Sequence, residues 1–192
     1  MGLLILGLVI FLAVHSTRVV ADPWRTATIA RMGEKPWKAI YSLLSIAGFV
    51  LIVIGYGAAR QSPVVLYSPP VWTRHLAALL TIPAFVLLAA AYVPLNSIKR
   101  AVGHPMVAGV KVWALAHLLA NGTLADVLLF GGFLVWAVLS FTAARRRDRT
   151  AGRVYPVGSA ARNAVTVAVG LVAWAAFAFA LHRPLIGVGP FG

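Results

Sequence analysis

Two histidines lie inside long apolar stretches of this sequence, where polar side chains are uncommon. His15 lies in the run from Gly2 to Val20, and His117 lies in the run from Pro105 to Ala120. An ionisable side chain in hydrocarbon costs about 2.5–3.5 kcal/mol on insertion scales, so such residues are functional candidates. Because neutral imidazole binds iron well, the pair indicates a haem site between facing helices. Polar packing and proton relay are the alternatives.

The expected depths of the two histidines agree with this interpretation. At 1.5 Å per helical residue, His15 should lie about 20 Å from the outer surface and His117 about 12 Å. The offset of about 8 Å suits a tilted macrocycle, because membrane helices tilt by about 20°. Ala114 and Ala116 flank His117. We expect these small side chains to leave room for a bulky group.

A second group of polar residues is expected nearer the cytoplasmic side. His104 and Lys111 are about 20° apart in helical projection, so they share a face and could meet a propionate or a substrate phosphate. Alternatively, His104 is interfacial and Lys111 extends its ammonium group to the headgroups. Arg18, one turn after His15, could bind a propionate or be the first cytoplasmic charge.

His75 and His182 are both expected near the outer surface, where interfacial residues need no function. His75 is also an alternative to His15 as the second ligand beside His117. These five are all the histidines, and there is no cysteine. Thiolate catalysis, cysteine-ligated haem and iron–sulfur clusters are therefore excluded. The four acidic residues are too scattered to predict a paired-carboxylate site.

The composition identifies a membrane protein. Of the 192 residues, 61% are hydrophobic and 11% charged, against about 45–50% and about 25% in soluble domains. The lipid bilayer is therefore a partner, and the net charge of +13 does not predict nucleic-acid binding, because no basic soluble module is present. We predict one domain over residues 1–192, an all-α bundle with about six transmembrane helices. The expected spans are Gly2–Val20, Ala39–Gly57, Trp72–Val93, Pro105–Ala120, Leu124–Ala143 and Ala164–Leu181.

The connections complete the prediction. Residues 21–38 are expected to form a charged connection punctuated by prolines, and the pair Gly131–Gly132 to allow close helix contact. Of the 17 Lys and Arg residues, 13 lie at the end of the first span or in the loops after the first, third and fifth spans. The positive-inside rule therefore places both termini on the non-cytoplasmic side of the membrane.

Over nearly its whole length, the sequence resembles the NnrU family of integral membrane proteins. The strongest stretches are Gly103–Met106, Trp113–Gly122 and Leu128–Phe133, supported by Val14–Ser16, Tyr41–Leu43, Arg60–Pro63 and Arg145–Asp148. The resemblance implies a bacterial inner-membrane protein associated with nitrite and nitric oxide reduction, that is, denitrification. The related plant 15-cis-zeta-carotene isomerase is a haem-b protein, and its haem histidines match His15 and His117.

Three functions follow from these observations. The first is a haem-b protein (protoporphyrin IX iron) with His15 and His117 as axial ligands and with a redox partner. The second is a haem-dependent isomerase of a lipid-soluble polyene. The isomerase has a cysteine where this chain has Ala114, so a thiolate ligand switch cannot occur here. The third is an S-adenosylmethionine-dependent methyltransferase, because His104, Pro105 and Gly109 are similar to a motif of membrane methyltransferases. Whether the protein is an enzyme stays open.

Overall fold

The chain folds into an all-α membrane bundle, as the sequence predicts. A computed structural model describes residues 1–191. Five helical segments are long and apolar enough to cross a membrane. They are α1 (Gly2–Val20), α3 (Glu34–Ala59), α4 (Trp72–Tyr92), α7 (Leu124–Thr150) and a segment that begins with α8 (Ala160–Ala175). Within the described chain there is no β-sheet, only an isolated bridge between Val65 and Thr123.

A shorter apolar helix, α6 (Pro105–Ala120), also runs from one end of the bundle to the other. His104, just before α6, contacts Asp148 near the end of α7. Gly122, just after α6, accepts hydrogen bonds from the loop that precedes α4. The 16 residues of α6 give a helix about 24 Å long, which is slightly shorter than the thickness of a bilayer core. The helices pack side by side in the order α3, α1, α7, α6, α4, α8.

The predicted charged connection is in fact helical. Residues 21–38 form α2 (Asp22–Met32) and the first turn of α3, which meet at Gly33. Pro23 and Pro36 lie in the first turns of these helices, where a missing N–H group costs no hydrogen bond. The connection is charged, as expected, but the two prolines begin helices here rather than mark a loop.

The closest helix contact joins α1 to α3. A Cβ atom on Gly7 would lie 2.6 Å from the backbone nitrogen of Ile52, and one on Gly48 would lie 2.9 Å from that of Phe11. Only glycine permits this approach of two backbones. By contrast, Gly131 has open space where its Cβ would be. A Cβ atom on Gly132 would lie 3.4 Å from Cδ1 of Leu12 on α1, so the expected helix contact is made by Gly132 alone, with a side chain rather than with the backbone.

The remaining elements lie at the two ends of the helix bundle. A short helix, α5 (Ser97–Val102), connects α4 to α6, and α7 continues seven residues beyond the expected end of its span at Ala143. At the other end, α8 passes into a π-helical segment, Ala176–Leu181, and then into α9 (His182–Ile186). The arginine-rich end of α7 meets the end of α1, because Arg147 donates to the carbonyl of Arg18 at 3.1 Å.

Candidate functional site

His15 is held against an aromatic wall by its own helix. Its Nδ1 lies 2.7 Å from the carbonyl oxygen of Phe11, one turn earlier in α1. The imidazole stacks on the ring of Phe11, with 4.0 Å between the ring centroids. The rings of Tyr41 and Trp136 approach from α3 and α7, at 5.3 Å and 6.0 Å.

His117 repeats this arrangement on α6. Its Nδ1 lies 2.8 Å from the carbonyl oxygen of Trp113, again one turn earlier. Its imidazole packs on Phe130 of α7 at 4.7 Å and on Trp113 at 5.2 Å between ring centroids. Asn121, on the same face, donates to the carbonyl of His117. The two histidines therefore have equivalent local environments.

The backbone contacts define the tautomer of both imidazoles. A carbonyl oxygen can only accept, so Nδ1 of His15 and of His117 must carry the proton. In the neutral ring the lone pair then belongs to Nε2, the nitrogen that points away from the helix backbone. Neither Nε2 atom makes a hydrogen bond within residues 1–191. A backbone bond at one nitrogen with a free lone pair at the other is the usual state of a metal-ligating histidine.

The relative depth of the two histidines can be read along α7. His15 is level with Trp136 and His117 with Phe130. These two contacts are six residues apart, which is about 9 Å along a helix. The offset agrees with the value of about 8 Å expected from span lengths.

Aromatic rings occupy the space between the two imidazoles. Phe11, which stacks on His15, lies 5.6 Å from Phe133, and Phe133 lies 5.7 Å from Trp113, which packs on His117. Phe133 is therefore the central ring of a continuous series across the bundle. Two imidazoles on one metal need nitrogen–metal distances of about 2 Å each, so Phe133 must move if both are to bind one iron.

The small residues beside His117 do not provide that space. Ala114 and Ala116 are both 0% exposed, and Ala114 packs within the main hydrophobic core of the bundle. The expectation that they leave room for a bulky group was wrong, because neighbouring helices fill it. Ala114 and Ala116 instead let α6 pack closely on its neighbours.

Two buried polar atoms of α7 have no partner within residues 1–191, and one of them belongs to Trp136, which contacts His15. Within the described residues, the indole Nε1 of Trp136 and the hydroxyl of Ser140 are buried and make no hydrogen bond. They are four residues apart on α7, so they share one face. Unsatisfied buried polar groups are uncommon and often mark a place where a water or ligand binds. They supply hydrogen-bond donors beside an otherwise apolar site.

His104 lies in a different cluster, at the arginine-rich end of the bundle. Its Nε2 donates to a carboxylate oxygen of Asp148 at 2.8 Å, and the hydroxyl of Tyr155 donates to the same oxygen at 2.7 Å. Asp148 is only 8% exposed. Burial and the hydrogen bond to this carboxylate raise the pKa of Tyr155, so Tyr155 stays a neutral donor at physiological pH.

The other predicted residues are spread around these two clusters. The Nζ of Lys111 lies 3.7 Å above the ring of Phe141, which also contacts the His104 ring at 6.4 Å. Lys111 and His104 therefore flank one aromatic ring, and neither residue contacts His15 or His117 within the described chain. Arg18 is 3.9 Å from the carboxylate of Asp22, so it pairs along its own chain segment.

Neither of the two outer histidines makes a ring contact with His15 or His117 among the described residues. His75 is exposed in the first turn of α4, without ring contact to His117 among the described residues. His182 binds the carbonyl of Val188 through Nδ1 at 2.7 Å. Within residues 1–191 no group of three or more His, Cys, Asp or Glu residues could hold a metal ion.

Sequence reasoning missed Asp148 and Tyr155, whose roles depend on a tertiary contact with His104. One signal was present. Asp148 is the single carboxylate inside a run of arginines, where a residue of opposite charge needs a specific partner. Trp136 carried no such signal, because an unpaired indole nitrogen depends entirely on what the neighbouring helices present.

Comparison with known proteins gives the family. No curated protein and no solved structure matches this chain. The family described as NnrU protein matches residues 3–190, nearly the whole chain. The chain therefore belongs to the NnrU family.

Proposed function

We propose that the protein is a haem-b protein of the bacterial inner membrane, with His15 and His117 as the iron ligands. One observation carries the proposal. Both imidazoles donate Nδ1–H to their own helix and make no hydrogen bond through Nε2 within the described residues. A ring nitrogen that faces hydrocarbon without a partner would be costly, and a metal would remove that cost at both positions.

The donor set suits the iron of a haem. Imidazole is the remaining strong ligand in a chain without cysteine, and bis-imidazole haems suit electron transfer. Haem b would supply a redox-active iron. The chain would hold the imidazoles in their tautomers and keep water away with the rings of Phe11, Trp113 and Phe130. Trp136 and Ser140 would donate to polar groups of the cofactor.

The physiological setting is part of the same proposal. The family resemblance favours a role in nitrite and nitric oxide reduction, where such a haem would exchange electrons with a redox partner. The distribution of Lys and Arg favours termini on the non-cytoplasmic side. Reporter fusions at both ends, one active only inside the cell and one only outside, test this orientation.

An absorption spectrum tests the cofactor directly. The protein is purified after expression with ample haem, and a low-spin Soret band is expected at about one haem per chain if both histidines bind one iron. His15→Ala and His117→Ala should each abolish the low-spin spectrum. His75→Ala and His182→Ala are matched controls that should leave it unchanged.

Three outcomes contradict the proposal in whole or in part. Absence of any Soret band in the wild-type protein would remove haem altogether. A full low-spin spectrum in either the His15 or the His117 variant would remove that residue as a ligand. A high-spin spectrum in the wild type, lost only with His117, would show that Phe133 stays between the imidazoles and that His15 does not bind.

A second candidate, haem-dependent isomerisation of a lipid-soluble polyene, is favoured by an apolar groove. The groove lies between α1 and α7, has a volume of about 350 Å³ and is lined by residues such as Leu12 and Gly132. Leu12 is three residues before His15 on the same helix. Reduced, haem-loaded protein should then isomerise a cis-polyene in detergent micelles. Lack of turnover with full haem occupancy would exclude this activity.

A further inference from the structure

A polar pocket lies at the arginine-rich end of the bundle, away from the histidines at mid-membrane depth. It has a volume of about 300 Å³ and lies between the connection from α4 to α5 and the segment after α7. One wall contains Leu95, Asn96 and Lys99, and the other contains Arg153 and Tyr155. The size is at the low end for ligand pockets, so it suits a small group better than a whole nucleotide.

The two walls are joined by a dense set of hydrogen bonds. The backbone nitrogen of Ser159 donates to the carbonyl of Leu95 at 3.1 Å. Asn163 accepts from the backbone nitrogen of Ser97 at 2.7 Å and donates to its hydroxyl. Asn96 is 2% exposed, and its amide is bonded on both sides. The pocket is therefore preformed, which reduces the entropy that a ligand must lose on binding.

The backbone at the pocket is also unusual. Leu95 has a φ of 55° and is the single non-glycine residue with positive φ in the described chain. This conformation is strained for a branched side chain and persists only where the surrounding structure imposes it. Such strain is concentrated at functional sites, and here it lies in the wall of the pocket.

Three cations line the pocket with little internal compensation. Lys99 uses one of its three N–H bonds on the carbonyl of Ala91, and Arg100 forms no ion pair within residues 1–191. Arg153 is 3.8 Å from Asp148 and its side chain is 61% exposed. Asp148 already accepts from His104 and Tyr155. No carboxylate lines the pocket itself, so an anion would relieve the mutual repulsion of the cations.

We propose that this pocket binds a phosphate group. Two guanidinium groups and an ammonium group suit phosphate oxygens, which accept bidentate hydrogen bonds. The pocket lies where a transmembrane helix ends, the level of lipid headgroups, and basic pockets between helix ends bind anionic headgroups. The phosphate could belong to such a lipid or to a small soluble molecule, and the test separates the two.

Native mass spectrometry of delipidated protein in neutral detergent provides the test. Phosphatidylglycerol should bind at least tenfold more tightly than phosphatidylcholine, whose headgroup has no net charge. The variant with Lys99→Gln, Arg100→Gln and Arg153→Gln should lose on the order of 100-fold in phosphatidylglycerol affinity. The single variant Arg100→Gln, at an exposed residue that holds no partner, should lose about tenfold if the triple variant fails to fold.

A matched control removes three charges elsewhere on the same side of the membrane. Arg31→Gln, Arg146→Gln and Arg149→Gln lie outside the pocket, and this variant should lose less than threefold. Equal losses in the two triple variants, or equal affinity for both lipids, would overturn the proposal for a lipid phosphate. If inorganic phosphate displaces phosphatidylglycerol from the wild-type protein but not from the Arg100→Gln variant, the phosphate that the pocket binds would be assigned to a small soluble molecule. Failure of both probes overturns the proposal entirely.

Discussion

The histidines of this bundle differ most in what their ring nitrogens contact. His15 and His117 bind only their own helices and leave Nε2 unpaired. His104 uses Nε2 to bind Asp148, which belongs to another helix and also accepts from Tyr155. The first arrangement leaves one ring nitrogen of each imidazole without a partner in the described chain, whereas the second joins α6, α7 and the following segment. Partners, rather than depth, therefore distinguish a site from a structural contact.

The largest expected effect comes from removing the carboxylate at the centre of the second cluster. Asp148→Ala leaves His104 and Tyr155 without their shared acceptor and should lower the free energy of unfolding by about 3 kcal/mol. Asp22→Ala is the control, because Asp22 is exposed and 3.9 Å from Arg18, and it should cost about 0.5 kcal/mol or less. Denaturant titration in detergent micelles measures both. Equal effects would contradict a structural role for the cluster.

Exchanging imidazole for phenyl separates the two kinds of histidine. His104→Phe should lower the free energy of unfolding by about 2 kcal/mol, because the buried carboxylate of Asp148 loses one of its two hydrogen-bond donors, and should leave haem content unchanged. His117→Phe keeps the ring packing on Phe130, so it should change the stability of the haem-free protein by about 1 kcal/mol or less, yet abolish the low-spin haem spectrum.

Unfolding curves and absorption spectra of both variants provide the measurement. The comparison fails if His104→Phe removes the haem or if His117→Phe destabilises the haem-free protein as strongly as His104→Phe does.

Hydropathy predicted the membrane spans well, because contact with lipid requires apolar side chains and these can be read directly from the residue types. The bounds of α4 and α6 agree with the expected spans to within about one residue. Hydropathy did not predict α2 (Asp22–Met32), which is a charged helix with Pro23 in its first turn. Proline is compatible both with a loop and with the first turn of a helix, and only the tertiary structure decides between the two.

The site was predictable only along single helices. Helical rise gave the offset of His15 and His117, because depth depends on local spacing. The intervening ring of Phe133 was not predictable, since its position depends on how α7 packs between α1 and α6. The contact of His104 with Asp148, 44 residues later, likewise has no signature in local spacing.

Tyr155→Phe tests the second cluster more gently. It removes one hydrogen bond to the carboxylate of Asp148 and leaves the bond from His104 in place. The expected loss is about 1.5 kcal/mol in the free energy of unfolding. Tyr92→Phe is the control, because Tyr92 is 76% exposed. If the two variants unfold alike, the hydroxyl of Tyr155 does not bind the carboxylate.

The smallest expected effect has the opposite sign. Ser140 lies four residues after Trp136, which packs against His15, and its buried hydroxyl has no partner within the described residues. Ser140→Ala removes this unsatisfied group, so the haem-free protein should become more stable by about 1 kcal/mol. Thr142→Val is the control, because the Thr142 hydroxyl already bonds to the carbonyl of Val138.

Unfolding of both variants in the same detergent compares the gain with the control, which should change by about 0.5 kcal/mol or less. A loss of stability in Ser140→Ala would show that the hydroxyl has a partner in the haem-free protein. A gain would support the contrast between the histidine clusters, because the polar atoms of the His104 cluster are paired internally. The unpaired polar atoms of Trp136 and Ser140 would then be available to bind a group that the polypeptide does not supply.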